Sequence, residues 1–448
     1  MALTDRAAHG STTEDVSRVE RDGLGERSLP AEALYGIHTI RACANFAAGG
    51  DTLTSQPELL IALARVKAAA ALANVDVGQL APTVGEAIVR AAREVAAGRL
   101  HEHFPLEIVQ GGGGTSTNMN MNEVLANRAG ELLGAEYGTY VVHPNDHVNC
   151  CQSTNDVLPT ALALATYAVA SRTLASLSHL QSRLLAQADV HAGLDHLART
   201  CLRDAVPIPV ADVHRSQAHA LGRAVGDLEH TAGRLLEIPL GFTAVGTGLG
   251  AADGYRELAL GYLSTETGLE LRPATNPCDG LASLEPFAAI ADAMAGAGRV
   301  MARIAADLRL LSSGPVGGIG EVHLPIVQAG SSLMPGKVNP VLPELVMQTS
   351  YQLTGAAHTV QLAAGAGELE VSPMGPVVTA ELLTGLERLG RVATLFAERC
   401  IDGLEWCRDR VEANLHGSLQ DAVESAARDG YEHAAPSLPR PKCTPDGS

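Results

Sequence analysis

Apolar residues recur every three or four positions along most of this 448-residue chain, which is the period of a helix with one buried face. Leu59, Leu60, Leu63, Val66 and Ala70 carry it first, then Val84, Ile88, Ala91 and Val95. A further helix is predicted over Glu123 to Leu133. Five long helices follow, over about 158–192, 208–238, 283–312, 340–368 and 376–412. The third is the most regular: Phe287, Ile290, Met294, Ala297, Met301, Ile304, Leu308 and Leu311 step alternately by three and four, the seam of a helical bundle. Leu221, Val225, Leu228, Ala232 and Leu235 repeat it in the second, and Leu174, Leu177, Leu180 and Leu184 in the first. At about 1.5 Å per residue, some thirty residues make about 45 Å of helix, so these segments are expected to bundle with one another. Their leftover Ala-rich stripes predict burial against another subunit.

The rest of the pattern divides the chain. Residues 1–24 are polar and mixed in charge and are expected to be a disordered extension. Residues 25–150 carry the shorter helical segments, 151–412 the long helices of the bundle, and 413–448 a short polar end with room for one or two small helices; no linker marks a boundary between compact domains.

Composition narrows the class. Hydrophobic residues make up 46% and charged residues 18%, a globular balance, while aromatics at only 3% leave Ala, Leu and Val to build the core, which suits close helix packing. The formal charge of −18 argues against nucleic acid or an anionic membrane as partner. No unbroken apolar run long enough for a membrane span is present, and Met1 to Glu26 lacks the apolar centre of a secretory signal. Eight cysteines without a CxxC pair are expected to be free thiols, and the expected compartment is the cytoplasm.

Chemistry gathers in four polar loops. The first is Gly111 to Gly114 with Thr115, Ser116, Thr117 and Asn118. It lacks the Gly-Lys-Ser/Thr of a phosphate loop, and close backbone approach to a ligand with neutral donors alongside suits it better. Gly246-Thr-Gly-Leu-Gly250 is likewise too short for a dinucleotide fingerprint. The second loop runs from His143 through Asn145, Asp146 and His147 to Ser153, Thr154, Asn155 and Asp156. Its histidines do not share an evident helix face and lack a third ligand, so no metal is expected. Ser153 to Asp156 also suit the cap of the helix that follows. The third is Thr200-Cys201-Leu202-Arg203-Asp204. The fourth, Gln328 to Pro340, puts Ser331, Ser332, Lys337 and Asn339 among Gly and Pro: a possible proton acceptor beside donors for an oxyanion. Jointly these loops suggest a carboxylate-binding pocket.

Gly330-Ser-Ser-Leu-Met-Pro-Gly-Lys-Val-Asn339 resembles the signature loop of the aspartase/fumarase superfamily. Gly114-Thr-Ser-Thr-Asn-Met-Asn120, and His143 to Asn149 with Gln152 to Asp156, resemble its two other shared regions. The similarity extends from about Leu24 to about 412. Gly-Thr115-Ser116, Leu310 to Pro315, Leu324 to Gly330 and Asn339 to Glu344 are closer to the ammonia-lyase branch than to class II fumarases. The resemblance implies an all-α fold, mainly, with three domains, a central five-helix bundle and a homotetramer whose active sites each draw on three subunits. It implies Ser331 as general base, with Thr115, Ser153, Thr154, Asn155, Thr200, Lys337 and Asn339 holding a small dicarboxylate, and no cofactor. Removing a proton next to a carboxylate creates an enediolate, which fixed neutral donors and one cation stabilise. Lys337 is one of three lysines, with Lys67 and Lys442, in a chain that otherwise uses Arg.

The departures from the family lie near the leaving group. Cys201 stands where His or Gln is usual, so Glu344 lacks the His that fumarases pair with it; Arg203 replaces Gln, and Val316 replaces a common Arg. The implied activity is ammonia elimination from L-aspartate, or from a close 2-substituted succinate, to give fumarate. Elimination of another nitrogen group from a substituted succinate, fumarate hydration and a non-catalytic paralogue are the alternatives.

Overall fold

The computed structural model describes residues 17–434, and the expectations for 1–16 and for the tail from 435 lie outside them. In chain order the elements are β1 (Ser17–Asp22), β2 (Gly25–Pro30), α1 (Ile37–Asn45), α2 (Pro57–Asp76), α3 (Pro82–Ala96), α4 (Thr115–Leu132), α5 (Thr154–Val190), β3 (Asp195–Thr200), β4 (Arg203–Pro209) and α6 (Val210–Arg234). There follow β5 (Glu237–Ile238), α7 (Tyr255–Thr267), β6 (Arg272–Pro273), α8 (Pro277–Ala282), α9 (Glu285–Leu311), β7 (Val322–His323), α10 (Val341–Ala364), α11 (Gly375–Phe396), β8 (Glu405–Trp406), α12 (Arg408–Leu415), α13 (Gln420–Asp429) and α14 (Tyr431–Ala434). The fold is mainly helical, as the period predicted, and among the described residues its strands pair only as two-stranded ribbons.

The chain forms two compact units. Among the described residues, one holds 17–169 with 232–288 and 359–384; the other holds 170–231, 289–358 and 385–434. All of their internal boundaries fall inside the five long helices. The division expected from sequence, at 150/151 and 412/413, follows chain order instead.

In the second unit the five helices pack through small residues. A Cβ on Gly298 of α9 would come within 2.9 Å of Leu353 on α10, and one on Gly385 of α11 within 2.7 Å of the Met294 sulfur, so glycine lets these backbones approach. Thr173 of α5 donates to the Leu386 carbonyl of α11 at 2.9 Å, and Gln181 of α5 to the Ala218 carbonyl of α6 at 3.1 Å. The seam residues Ile290, Met294, Ala297, Met301, Ile304 and Leu308 are all buried. Among the described residues α5 alone is long and apolar enough to cross a membrane by length and composition, and most of its apolar window is buried inside the fold.

Three sequence expectations are corrected. Residues 17–24 are not disordered: β1 pairs antiparallel with β2, and Arg18 fastens the hairpin by donating to the carbonyls of Pro30, Ala31, Ala33 and Tyr35. The last long helix stops at Phe396 rather than near 412, where a π-turn (Ala397–Ile401) and β8 take over. Thr200 to Asp204 is not an open loop leading into a helix after Pro207. It is the tip of the β3–β4 hairpin, and the helix begins at Val210.

Candidate active site

In the first unit the candidate residues gather at the start of α5. Ser153 Oγ accepts the Asn155 N–H at 3.2 Å, and Thr154 Oγ accepts from the Asn118 amide at 3.2 Å. Each hydroxyl oxygen therefore already receives a donor, and its own proton is left for an incoming acceptor. The Asn155 side chain donates to the Ala244 carbonyl at 2.9 Å, which fixes its plane. Beneath the turn, Asp156 is fully buried and accepts the N–H groups of Ser153, Gly241 and Thr243. Burial raises its pKa to about 6 against those three hydrogen bonds.

Gly113 and Gly114 take left-handed backbone angles, φ 64° and 85°, and so turn the chain directly into α4 at Thr115. Thr115 to Asn118 thus lie in the first turn of a helix, not in a loop as expected. Thr115 is exposed, with its hydroxyl on the Gly112 carbonyl. Ser116, Thr117 and Asn118 are buried: Thr117 exchanges bonds with Gln110, and Asn118 reaches Asn149 and Thr154. His143 opens a π-turn, its Nδ1 accepting the N–H groups of Asn145 and Asp146. His143, Asn145 and Asp146 therefore shape the chain before Ser153.

The second unit holds Thr200, Cys201, Arg203, Ser331, Lys337, Asn339 and Glu344. Cys201 and Leu202 form a two-residue hairpin turn, both in left-handed backbone (φ 55° and 58°), the geometry that matches the twist of the ribbon. Thr200, Cys201 and Arg203 are exposed at that tip. The hairpin is anchored from below by Glu321, whose fully buried carboxylate takes two bonds from Arg199, at 3.0 and 2.7 Å, one from His196 and one from Asn414. Burial alone would raise the Glu321 pKa; the bonds from His196, Arg199 and Asn414 and the Arg199 charge outweigh it and hold it at about 2.

The signature loop is exposed and tightly wound. Ser331 N–H donates to the Lys337 carbonyl at 3.0 Å, and Ser331 Oγ accepts the N–H groups of Leu333 at 3.1 Å and Met334 at 2.9 Å. Two amides converging on one hydroxyl oxygen favour its deprotonated form. Any side chain on Gly330 would collide with the Lys337 carbonyl, 1.3 Å from the place of its Cβ. Lys337 and Asn339 are exposed beside this turn, and Glu344 forms an ion pair with Arg309 at 3.5 Å.

Sequence reasoning noticed Lys67 only as a rare lysine. It is completely buried on α2, donating to the side chains of Asn149 and Gln152 at 3.0 Å each. A cation on the apolar face of α2, four positions from Leu63 and three from Ala70, was the available signal.

A family model described as Lyase matches residues 25–355, and the chain belongs to that family. It is a lyase of the aspartase/fumarase superfamily. Among its relatives is an aspartate ammonia-lyase of a Bacillus species, 39% identical over 93% of this chain and 89% of its own length. A fumarate lyase:delta crystallin from Brucella melitensis, solved bound to cobalt, superposes with a TM-score of 0.91 at 41% identity over 94% of this chain and 92% of its own. A class II fumarase from Schistosoma mansoni reaches the same TM-score at 33% identity, with the same coverage of both chains.

Proposed function

We propose that the protein eliminates ammonia from L-aspartate, or an amine-like group from a close 2-substituted succinate, to give fumarate. The observation that carries this reading is the Ser331 hydroxyl held by two backbone amides within a lysine-bearing loop. Ser331 Oγ takes the proton from the carbon beside one carboxylate. The C–H electron pair moves into an enediolate, then forms the carbon–carbon double bond as the C–N bond breaks and the amine leaves with its electrons. Thr115, Ser153, Thr154, Asn155, Thr200, Lys337 and Asn339 hold the two carboxylates and the enediolate charge. These steps draw on side chains and backbone amides, with no cofactor or metal ion assigned a role.

The kinship with a named aspartate ammonia-lyase supports ammonia as the leaving group. Cys201 and Arg203 at the exposed hairpin tip favour a second reading, in which a charged or substituted amine departs instead. The protein works as a homotetramer, in the cytoplasm, with sites shared between subunits. A groove of about 790 Å³ between α6 and α9 supports the assembly, because Ala220, Ala289, Ala293 and Gly296 line it as a face of small residues on which another helix can pack closely. Fumarate release from a panel of 2-substituted succinates, L-aspartate included, tests the reading, and the absence of fumarate from every member rejects it.

A further inference from the structure

We infer that Lys67 is a positioning residue for the substrate-binding turn Ser153–Asn155, acting through Asn149, Gln152 and Asn118; the inference rests on the proposed role of that turn. Lys67 approaches neither the turn's hydroxyls nor any exposed surface. Its ammonium reaches Asn149 Oδ1 and Gln152 Oε1, both at 3.0 Å. Gln152 is the residue before Ser153, and its amide is held on the other side by the carbonyls of Val148 and Cys150 at 2.9 and 3.0 Å. Asn149 Oδ1 also accepts from Asn118 at 3.1 Å and Asn122 at 3.2 Å. The Asn118 amide then bridges to Thr154 Oγ. One buried cation thereby fixes the backbone entering the turn and, through Asn118, the direction in which the Thr154 hydroxyl presents its proton.

The cluster is built to need a donor-rich group there. The amide oxygens of Asn118 and Asn122 are buried without partners, so acceptors outnumber donors around Lys67. An apolar side chain in its place would strand two more, Asn149 Oδ1 in part and Gln152 Oε1 wholly. Asp156 is the ionisable group acting on Lys67, and Lys67 acts on it in return; Asp156 also acts on the buried Tyr255, which Cys150 and Cys151 face as well. Burial lowers the lysine to about 7, a cost that a helix with only a packing role at this position would not require.

The test is Lys67→Met in the full-length protein, read in two independent ways. The KM for L-aspartate, and the dissociation constant for unreactive succinate, rise about tenfold or more with kcat changed much less, as expected when groups binding ground and transition states alike lose alignment. Amide exchange at Ser153 and Asn155 accelerates while that of α11 stays at the wild-type rate. Lys67→Gln, which restores an N–H donor without the charge, recovers part of the affinity and serves in place of the Met variant if that does not fold. Unchanged KM and unchanged exchange in a folded variant overturn the inference. Should the wild type neither turn over L-aspartate nor bind succinate, the functional reading falls and exchange at Ser153 and Asn155 alone decides the role of Lys67.

Discussion

Replacing Glu321 by Gln removes the charge on which the β3–β4 hairpin is fastened, and the cost can be worked out in two ways. The carboxylate is held at about 2 against an ordinary 4.5, a difference of about 2.5 pH units, equivalent to about 3 kcal/mol of stability at neutral pH. Removing one member of a buried ion pair costs about 3–5 kcal/mol by comparison with other proteins, because the partner is stranded; here that partner is Arg199, whose side chain is 14% exposed. The sign follows from the lowered pKa: the stabilisation is complete above pH 4.5 and is lost as pH falls towards 2. Urea unfolding of wild type and Glu321→Gln at pH 7 should differ by about 3 kcal/mol, and at pH 3 by less than about half of that. A difference below about 1 kcal/mol at pH 7, or one that does not shrink at pH 3, refutes the assignment of Glu321 as a charged anchor.

Other positions give sharper local readouts. Gly330→Ala forces the loop off the Lys337 carbonyl, so activity should fall by about a hundredfold or more while the exposed loop leaves the melting temperature nearly unchanged; steady-state kinetics and calorimetry check both. Thr154→Val removes a hydroxyl whose oxygen is already held by Asn118, and the KM for the dicarboxylate should rise about tenfold, measured at constant pH. His214 is buried, accepts the indole N–H of Trp406 at 3.1 Å and has its pKa lowered to about 4, chiefly by burial. The stability of its neutral form is complete above pH 6.5 and is lost as pH falls towards 4, about 3 kcal/mol in all. Trp406 is the only tryptophan in the chain, so its fluorescence should change around pH 4, where the folded-state imidazole takes up its proton, in the wild type and not in His214→Gln.

The long helices and the signature loop were legible because their signals are local. The seam of α9 needs only its own spacing, and the Gly and Pro of residues 328–340 exclude regular structure by themselves. The β3–β4 hairpin was not, because Pro207 and Pro209 argue against a strand that in a two-stranded ribbon has a free edge to accommodate them. Its turn, Cys201-Leu202, also takes left-handed angles without the Gly or Asn that normally announces them. The hairpin at residues 17–30 was missed since its strands alternate polar residues, and what holds them is Arg18 reaching distant carbonyls. The roles of Lys67, Asp156 and Glu321 depend on partners far away in sequence, such as Asn149, Thr243 and Arg199, and only the folded chain brings those together.

The most direct test of the central claim is to incubate purified protein with L-aspartate and follow fumarate by its ultraviolet absorbance, with ammonia measured alongside. The account predicts one ammonia for each fumarate, and loss of both in Ser331→Ala while the fold is retained. Undiminished fumarate formation by Ser331→Ala would contradict it.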